Sequence, residues 1–222
     1  MKETLCAGFW GVQRAGQKNL TCAATGSGLA KRVGFRFCPA MPTHVFGYGS
    51  LVNAATHSYR DPLPVTVPGW RRVWRHLPGR AFATLSVEPA DAEILGLVVE
   101  VPQAEWPALD VREAAYRRVS LDVASHQGRD VVLYEVPPEA TATEVPLPIL
   151  LSYLDVVIQG YHRLGGAPAV DAFFASTAGW GAVHDDRASP VYPRHQILTS
   201  AERELTDQGL ARVLNGGGAI DS

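Results

Sequence analysis

Two stretches of this 222-residue chain combine residue types capable of chemistry with a spacing that would present them together. The first is Val45-Phe46-Gly47-Tyr48-Gly49-Ser50-Leu51, an apolar strand-like run that enters two glycines flanking an aromatic residue and then meets a serine. Glycines relax backbone sterics and let main-chain N–H groups approach a ligand closely. Successive N–H groups in such a turn form a nest for a carboxylate or an oxyanion. Ser50 is not arranged as a nucleophile, because Val52 stands where a nucleophile elbow needs a glycine. Nor does a Gly-Lys-Ser/Thr sequence follow to make a phosphate-binding loop.

The second stretch runs from Trp106 to Tyr116, Trp-Pro-Ala-Leu-Asp-Val-Arg-Glu-Ala-Ala-Tyr. Read as one helix with Pro107 in its first turn, it places Trp106, Leu109, Glu113 and Tyr116 on a single face. Glu113 then lies inside an apolar stripe, where burial disfavours its charged form and raises its pKa toward neutrality. A carboxylate tuned in that way suits a general base working near pH 7. The competing reading makes Glu113 the ion-pair partner of a neighbouring arginine.

The elements that must carry these groups are mixed in type. Val45–Tyr48, Trp70–His76, Phe82–Val87, Ile94–Val101 and Val131–Val136 read as strands, rich in β-branched and aromatic residues, with Gly69 and Pro78-Gly79 between them. After the proline-rich connector 137–148, Leu150, Leu154, Val157, Tyr161 and Leu164 form one helical stripe that Gly165-Gly166 stops. A second helix is expected over about 168–176, and a third opens on the capping box Thr199 with Glu202 and ends at Asn215-Gly216. Strands first and helices later predict an α+β fold, a small mixed β-barrel or sheet with surrounding helices.

Hydrophobic residues make up 46% of the chain and charged residues 19%, which excludes a disordered acidic protein and a membrane bundle. The net charge of −2 hides a division. All three cysteines and all three lysines lie in residues 1–40, whereas residues 41–222 hold 14 arginines against 21 carboxylates, a balance of −7. Residues 1–40 are therefore expected to be an N-terminal extension, either disordered or upstream of a native start at Met41, with the folded domain spanning 41–222. Without cysteines that domain has no disulfide framework, which fits a cytoplasmic protein. The arginine- and tryptophan-bearing segment from Trp70 to His76 resembles a nucleic-acid-binding composition, but an acidic domain argues against that partner. A strand with Trp70 and Trp74 on one face and Arg71 and Arg75 on the other accounts for it. His184 and His195, eleven residues apart around Asp185 and Asp186, are expected to belong to a hydrogen-bonded loop and not to a metal site.

Taken in order, the turn Val45–Leu51 and Leu109-Asp110-x-Arg112-Glu113-x-x-Tyr116 resemble the gamma-glutamylcyclotransferase-like superfamily, closely from Pro42 to Tyr134 and more loosely through Tyr192. The resemblance implies a γ-glutamyl amide as small-molecule substrate. Its own α-amine attacks the γ-carbonyl and releases 5-oxoproline with an amine, amino acid or peptide. It assigns Glu113 as the catalytic proton shuttle and Tyr48, Gly49, Ser50 and Leu51 as the substrate-binding turn. It calls for no cofactor, metal, nucleic acid or membrane. The context Arg-Glu-Ala-Ala-Tyr differs from the Arg-Glu-Val-x-Gly-Tyr of the glutathione-degrading branch, so the branch stays open. The alternative is a non-catalytic domain of the same fold that binds an acidic metabolite or a protein partner.

Overall fold

The computed structural model describes residues 42–121, 129–140 and 145–215; the expectation for residues 1–40 lies outside them. Among the described residues eight strands and three α-helices follow one another. They are β1 (His44–Gly47), β2 (Arg60–Arg75), β3 (Thr84–Glu100), α1 (Trp106–Arg112), β4 (Arg117–Leu121), β5 (Val131–Glu135), β6 (Ile149–Leu150), α2 (Leu151–Ala175), β7 (Thr177–Ala178), β8 (Val183–His184) and α3 (Ser200–Asn215). Six strands form one mixed sheet in the order β4-β5-β1-β3-β2-β7, and β6 pairs with β8 in a separate parallel ribbon. Within the large sheet β1 runs parallel to β5 and β2 parallel to β7, while the other neighbours are antiparallel.

The α+β expectation holds, and of its two forms the structure takes the sheet: β4 and β7 are separate edges among the described residues. Two strand boundaries need correction. Phe82–Val87 and Ile94–Val101 are not two strands, because Thr84–Glu100 runs unbroken through Pro89. Its partner Arg60–Arg75 likewise contains the expected turn at Gly69, where the register shifts between Pro68 and Trp70. Gly69 there marks a bulge inside a long hairpin, which lengthens the strand instead of ending it.

Alternation along the strands divides the core between the two faces of the sheet. Phe46, Val67, Trp74, Leu85, Val87, Ile94, Val98 and Leu133 pack with Leu154, Val157, Ile158, Tyr161, Phe173 and Phe174 of α2. Val45, Leu97, Val99, Val132 and Tyr134, out of phase with their immediate neighbours Phe46, Val98 and Leu133, pack with Trp106 and Leu109 of α1. The expected stripe of α2 is thus its core face, and the break at Gly165 and Gly166 divides the helix into two segments. The capping box of α3 is formed: the Thr199 N–H donates to Glu202 Oε2 at 2.8 Å, and the Glu202 N–H donates to Thr199 Oγ1 at 3.2 Å.

The expected helix over 106–116 is shorter than its apolar pattern. It ends at Arg112, and Glu113 is its C-terminal cap, with a non-helical backbone (φ −100°, ψ 27°). The Tyr116 N–H then donates to Glu113 O at 2.9 Å, closing a turn that starts β4 one residue later. Glu113 therefore sits at a helix-to-strand corner and not in the middle of a helical stripe.

Candidate functional site

The chain leaves β1 at Gly47 and passes through Tyr48 and Gly49 into a single 3₁₀ turn, Ser50–Val52. This segment carries the chain out of the sheet at the end of β1. On one side the Gly96 position of β3 abuts it, since a Cβ there would stand 2.5 Å from Gly47 O. On the other, a Cβ on Gly160 of α2 would stand 2.8 Å from the Asn53 backbone nitrogen. Asn53 is fully buried and secures the exit of the turn, with Nδ2 donating to Val156 O at 2.9 Å and to Gln159 Oε1 at 2.8 Å. The Thr56 hydroxyl lies 2.9 Å from Ser50 O. The first N–H groups of a short helical turn have no partner within it, so this anchored segment offers donors at its open end.

A narrow pocket opens there, lined by Phe46 to Leu51 together with Leu85, Glu113, Tyr116, Tyr134 and Tyr153. All five residues singled out in the sequence, Tyr48, Gly49, Ser50, Leu51 and Glu113, thus line one pocket, although some 60 residues separate the turn from the glutamate. The link between them is Arg112. Its Nη2 donates to Ser50 Oγ at 2.9 Å, and its Nε is 3.0 Å from Glu113 Oε1. The arginine partner considered for Glu113 is therefore present, and it belongs to the pocket wall.

Burial pushes the Glu113 carboxyl above the ordinary carboxylate range, and the positive charges of Arg112 and Arg194 pull it part of the way back. The Glu113 side chain retains 15% of its surface, so the desolvated carboxylate still reaches the pocket. Three tyrosines surround it. Burial holds the Tyr48, Tyr116 and Tyr153 phenols well above their usual range, so each is a neutral hydroxyl at physiological pH. The Tyr48 hydroxyl donates to Tyr134 O at 2.5 Å and the Tyr116 hydroxyl to Leu85 O at 2.9 Å. The Tyr153 hydroxyl has no such protein acceptor among the described residues, and a Cβ on Gly49 would stand 2.7 Å from it. Its ring is fixed by edge contacts with Trp74 at 6.1 Å and Tyr192 at 5.1 Å between centroids.

Two of these groups escape a reading of the sequence. Tyr153 belongs to a helix whose apolar stripe draws attention to other positions. Arg72 looks like one more arginine of a solvated strand, yet it is 1% exposed. Its Nε donates to Tyr48 O at 3.2 Å, and the Tyr161 hydroxyl lies 2.9 Å from the same carbonyl. Arg72 has the same strand parity as Trp70 and Trp74, and that is the signal that would have placed it inside. Arg71 and Arg75, expected on the face opposite Trp70 and Trp74, both meet Glu88. In the His184–His195 loop, Asp186 accepts from the Ser152 N–H at 2.8 Å and the Val191 N–H at 2.7 Å, which ties the loop to the start of α2. No group of three metal-ligating side chains occurs among the described residues. No helix among them is long and apolar enough to cross a membrane.

Fold and pocket together define an α+β protein with a desolvated carboxylate facing a glycine-bearing turn at the end of a strand. Residues 45–150 match the family model of gamma-glutamyl cyclotransferase, AIG2-like. Over that segment the chain is gamma-glutamylcyclotransferase-like, as its motifs implied. No curated protein matches it in sequence. Among solved structures, it is similar to YkqA from Bacillus subtilis, with 18% identity, 55% of this chain and 49% of that one covered, and a TM-score of 0.45. The chain thus spans about half the length of YkqA. An uncharacterised protein from Homo sapiens is 11% identical, with 74% and 98% covered and a TM-score of 0.48. A gamma-glutamyl cyclotransferase from yeast specific to glutathione is 14% identical, with 75% and 96% covered and a TM-score of 0.37.

Proposed function

We propose that this protein cleaves a γ-glutamyl amide by internal cyclisation, releasing 5-oxoproline and the amine, amino acid or peptide on the leaving side. The observation that carries the reading is the Glu113 carboxylate, raised by burial, facing the turn Tyr48–Leu51 across one pocket. The family match over residues 45–150 supports it.

In this reading the turn holds the glutamyl part with its N–H groups directed at the substrate carboxylate or at the developing oxyanion. Glu113 accepts a proton from the substrate ammonium, and the freed amine attacks the γ-carbonyl carbon. The tetrahedral oxyanion collapses, the γ-carbon–nitrogen bond breaks as the leaving nitrogen takes the proton from Glu113, and the ring nitrogen gives its second proton to the released amine through the same carboxylate. Nucleophile and electrophile belong to one molecule, so the site supplies orientation and proton transfer. Well-oriented intramolecular attack reaches effective molarities on the order of 10⁵ M or more. Arg112, bonded to Ser50 and Glu113, keeps the two halves of the site in register. The Tyr153 hydroxyl, without a protein acceptor among the described residues, is a donor toward substrate oxygen.

The ion pair between Arg112 and Glu113 favours a second reading, a binding domain in which Glu113 is structural. The test is 5-oxoproline release from glutathione, γ-glutamyl dipeptides and a γ-glutamyl-amine, run beside Glu113→Gln. A catalyst loses most of its rate, roughly 10²-fold or more, with an unchanged melting temperature. Silence across the panel from a well-folded chain rejects the reaction. A variant that loses stability before activity assigns Glu113 to structure.

A further inference from the structure

A second cavity, of about 380 Å³, lies apart from the pocket, between the β2–β3 hairpin and the second segment of α2. Its polar wall consists of Arg72, Ser176, Thr66 and Glu93, and its apolar wall of Leu95, Pro168, Ala169, Ala172 and Phe173. Two opposite charges therefore share one cavity, and neither has a partner of opposite sign among the described residues.

The arginine is the more telling of the two. Arg72 is 1% exposed, and no carboxylate among the described residues neutralises it. Its fork is met by neutral groups: Nη1 donates to Ser176 Oγ at 2.7 Å, Nη2 to the Tyr161 hydroxyl at 2.6 Å and also to Leu95 O, and Nε to Tyr48 O at 3.2 Å. The Tyr161 and Phe173 rings stand 4.9 and 5.2 Å from its Cζ. One of its five N–H donors, the second on Nη1, is left without an acceptor among the described residues, beside Ser176, whose own hydroxyl proton goes to Ala172 O at 2.6 Å. A buried, uncompensated cation is costly and is stabilised strongly by an anion that reaches it. Glu93, by contrast, is exposed at the rim, positioned to meet a cation that enters from solvent.

We propose that this cavity is a binding site for an α-amino acid with an apolar side chain, its carboxylate on the second N–H of Arg72 Nη1 and its ammonium toward Glu93. The side chain lies against Leu95, Ala169 and Phe173. A plain anion would gain nothing from Glu93 and a plain amine nothing from Arg72, so the pair of charges selects a zwitterion. Binding here is read directly, without the cyclisation reaction.

The test is calorimetric titration of the full chain with L-leucine and L-phenylalanine, and with L-leucinamide and 4-methylpentanoate, which lack the carboxylate and the ammonium respectively. The expected result is one site for at least one of the two amino acids, with leucinamide weaker by about tenfold or more, because a charge-assisted hydrogen bond is lost. Glu93→Gln, an exposed change, weakens amino-acid binding and leaves 4-methylpentanoate unaffected. Ala172→Phe, placed on the exposed side of α2, fills the cavity and abolishes binding, while Glu113→Gln leaves it intact. No binding of either amino acid at about 10 mM overturns the proposal. Binding of leucinamide equal to that of leucine, binding that survives Ala172→Phe, or binding that is lost in Glu113→Gln overturns it as well.

Discussion

Gly160→Ala sets two effects of opposite sign against each other. Gly160 lies inside α2, where alanine is favoured over glycine by about 1 kcal/mol of helix propensity. On propensity alone the variant would be stabilised. The structure puts the new Cβ 2.8 Å from Asn53 N and 3.0 Å from both its Cα and Cβ, backbone and near-backbone atoms that cannot rotate away. To restore ordinary contact the helix must withdraw from the turn by roughly 0.5–1 Å, and overpacking of this kind costs about 1–3 kcal/mol. Withdrawal also stretches the bonds from Asn53 Nδ2 to Val156 O and Gln159 Oε1, each contributing about 1 kcal/mol. With about half of that lost from each stretched bond, subtracting the propensity gain leaves a net destabilisation of about 1–3 kcal/mol. At about 2–4 °C per kcal/mol for a chain of this size, the melting temperature falls by roughly 2–12 °C. Thermal melts and urea titrations of the two proteins measure it. A variant that melts higher than the parent would show that propensity dominates, and the close approach of α2 to the turn would have to be abandoned.

Two further outcomes follow from the electrostatics and hydrogen bonding of the pocket. Burial raises Glu113 and Arg194 lowers it, so Arg194→Ala moves the acid limb of the kcat/KM profile for 5-oxoproline release to higher pH, and an acid limb left in place refutes that role for Arg194. Tyr153→Phe removes a hydroxyl that bonds no protein acceptor among the described residues. It lowers kcat/KM by about tenfold with the melting temperature held, whereas a fall in stability with full activity would make the hydroxyl structural.

The residues legible in the sequence were those whose type and local spacing mattered together. The glycines around Tyr48 announce a tight turn, and Glu113 among Trp106, Leu109 and Tyr116 announces a desolvated carboxylate. The geometry that desolvates it was misread, because the same apolar pattern continues past Arg112 although the helix ends there. The long hairpin was hidden by Pro68, Gly69 and Pro89, which break the alternation of a strand but are accommodated by a bulge and by edges that need no N–H donor. Arg72 and Tyr153 were out of reach for another reason. Their roles arise from contacts across 24 and 104 positions of chain, with Tyr48 O and Gly49 respectively, and local periodicity holds no record of such meetings.

The segment 47–53 is confined on two sides by glycine backbone, at Gly96, where Gly47 O and the Phe46 ring press close, and at Gly160, where Asn53 does. Repulsion between closed atomic shells is blind to ionic strength and to proton concentration, unlike the charged pair that Arg112 makes with Glu113. The floor of the pocket is therefore set mechanically, while the group above it responds to its solvent. Acid and salt tune the carboxylate without reshaping the surface on which a substrate lies.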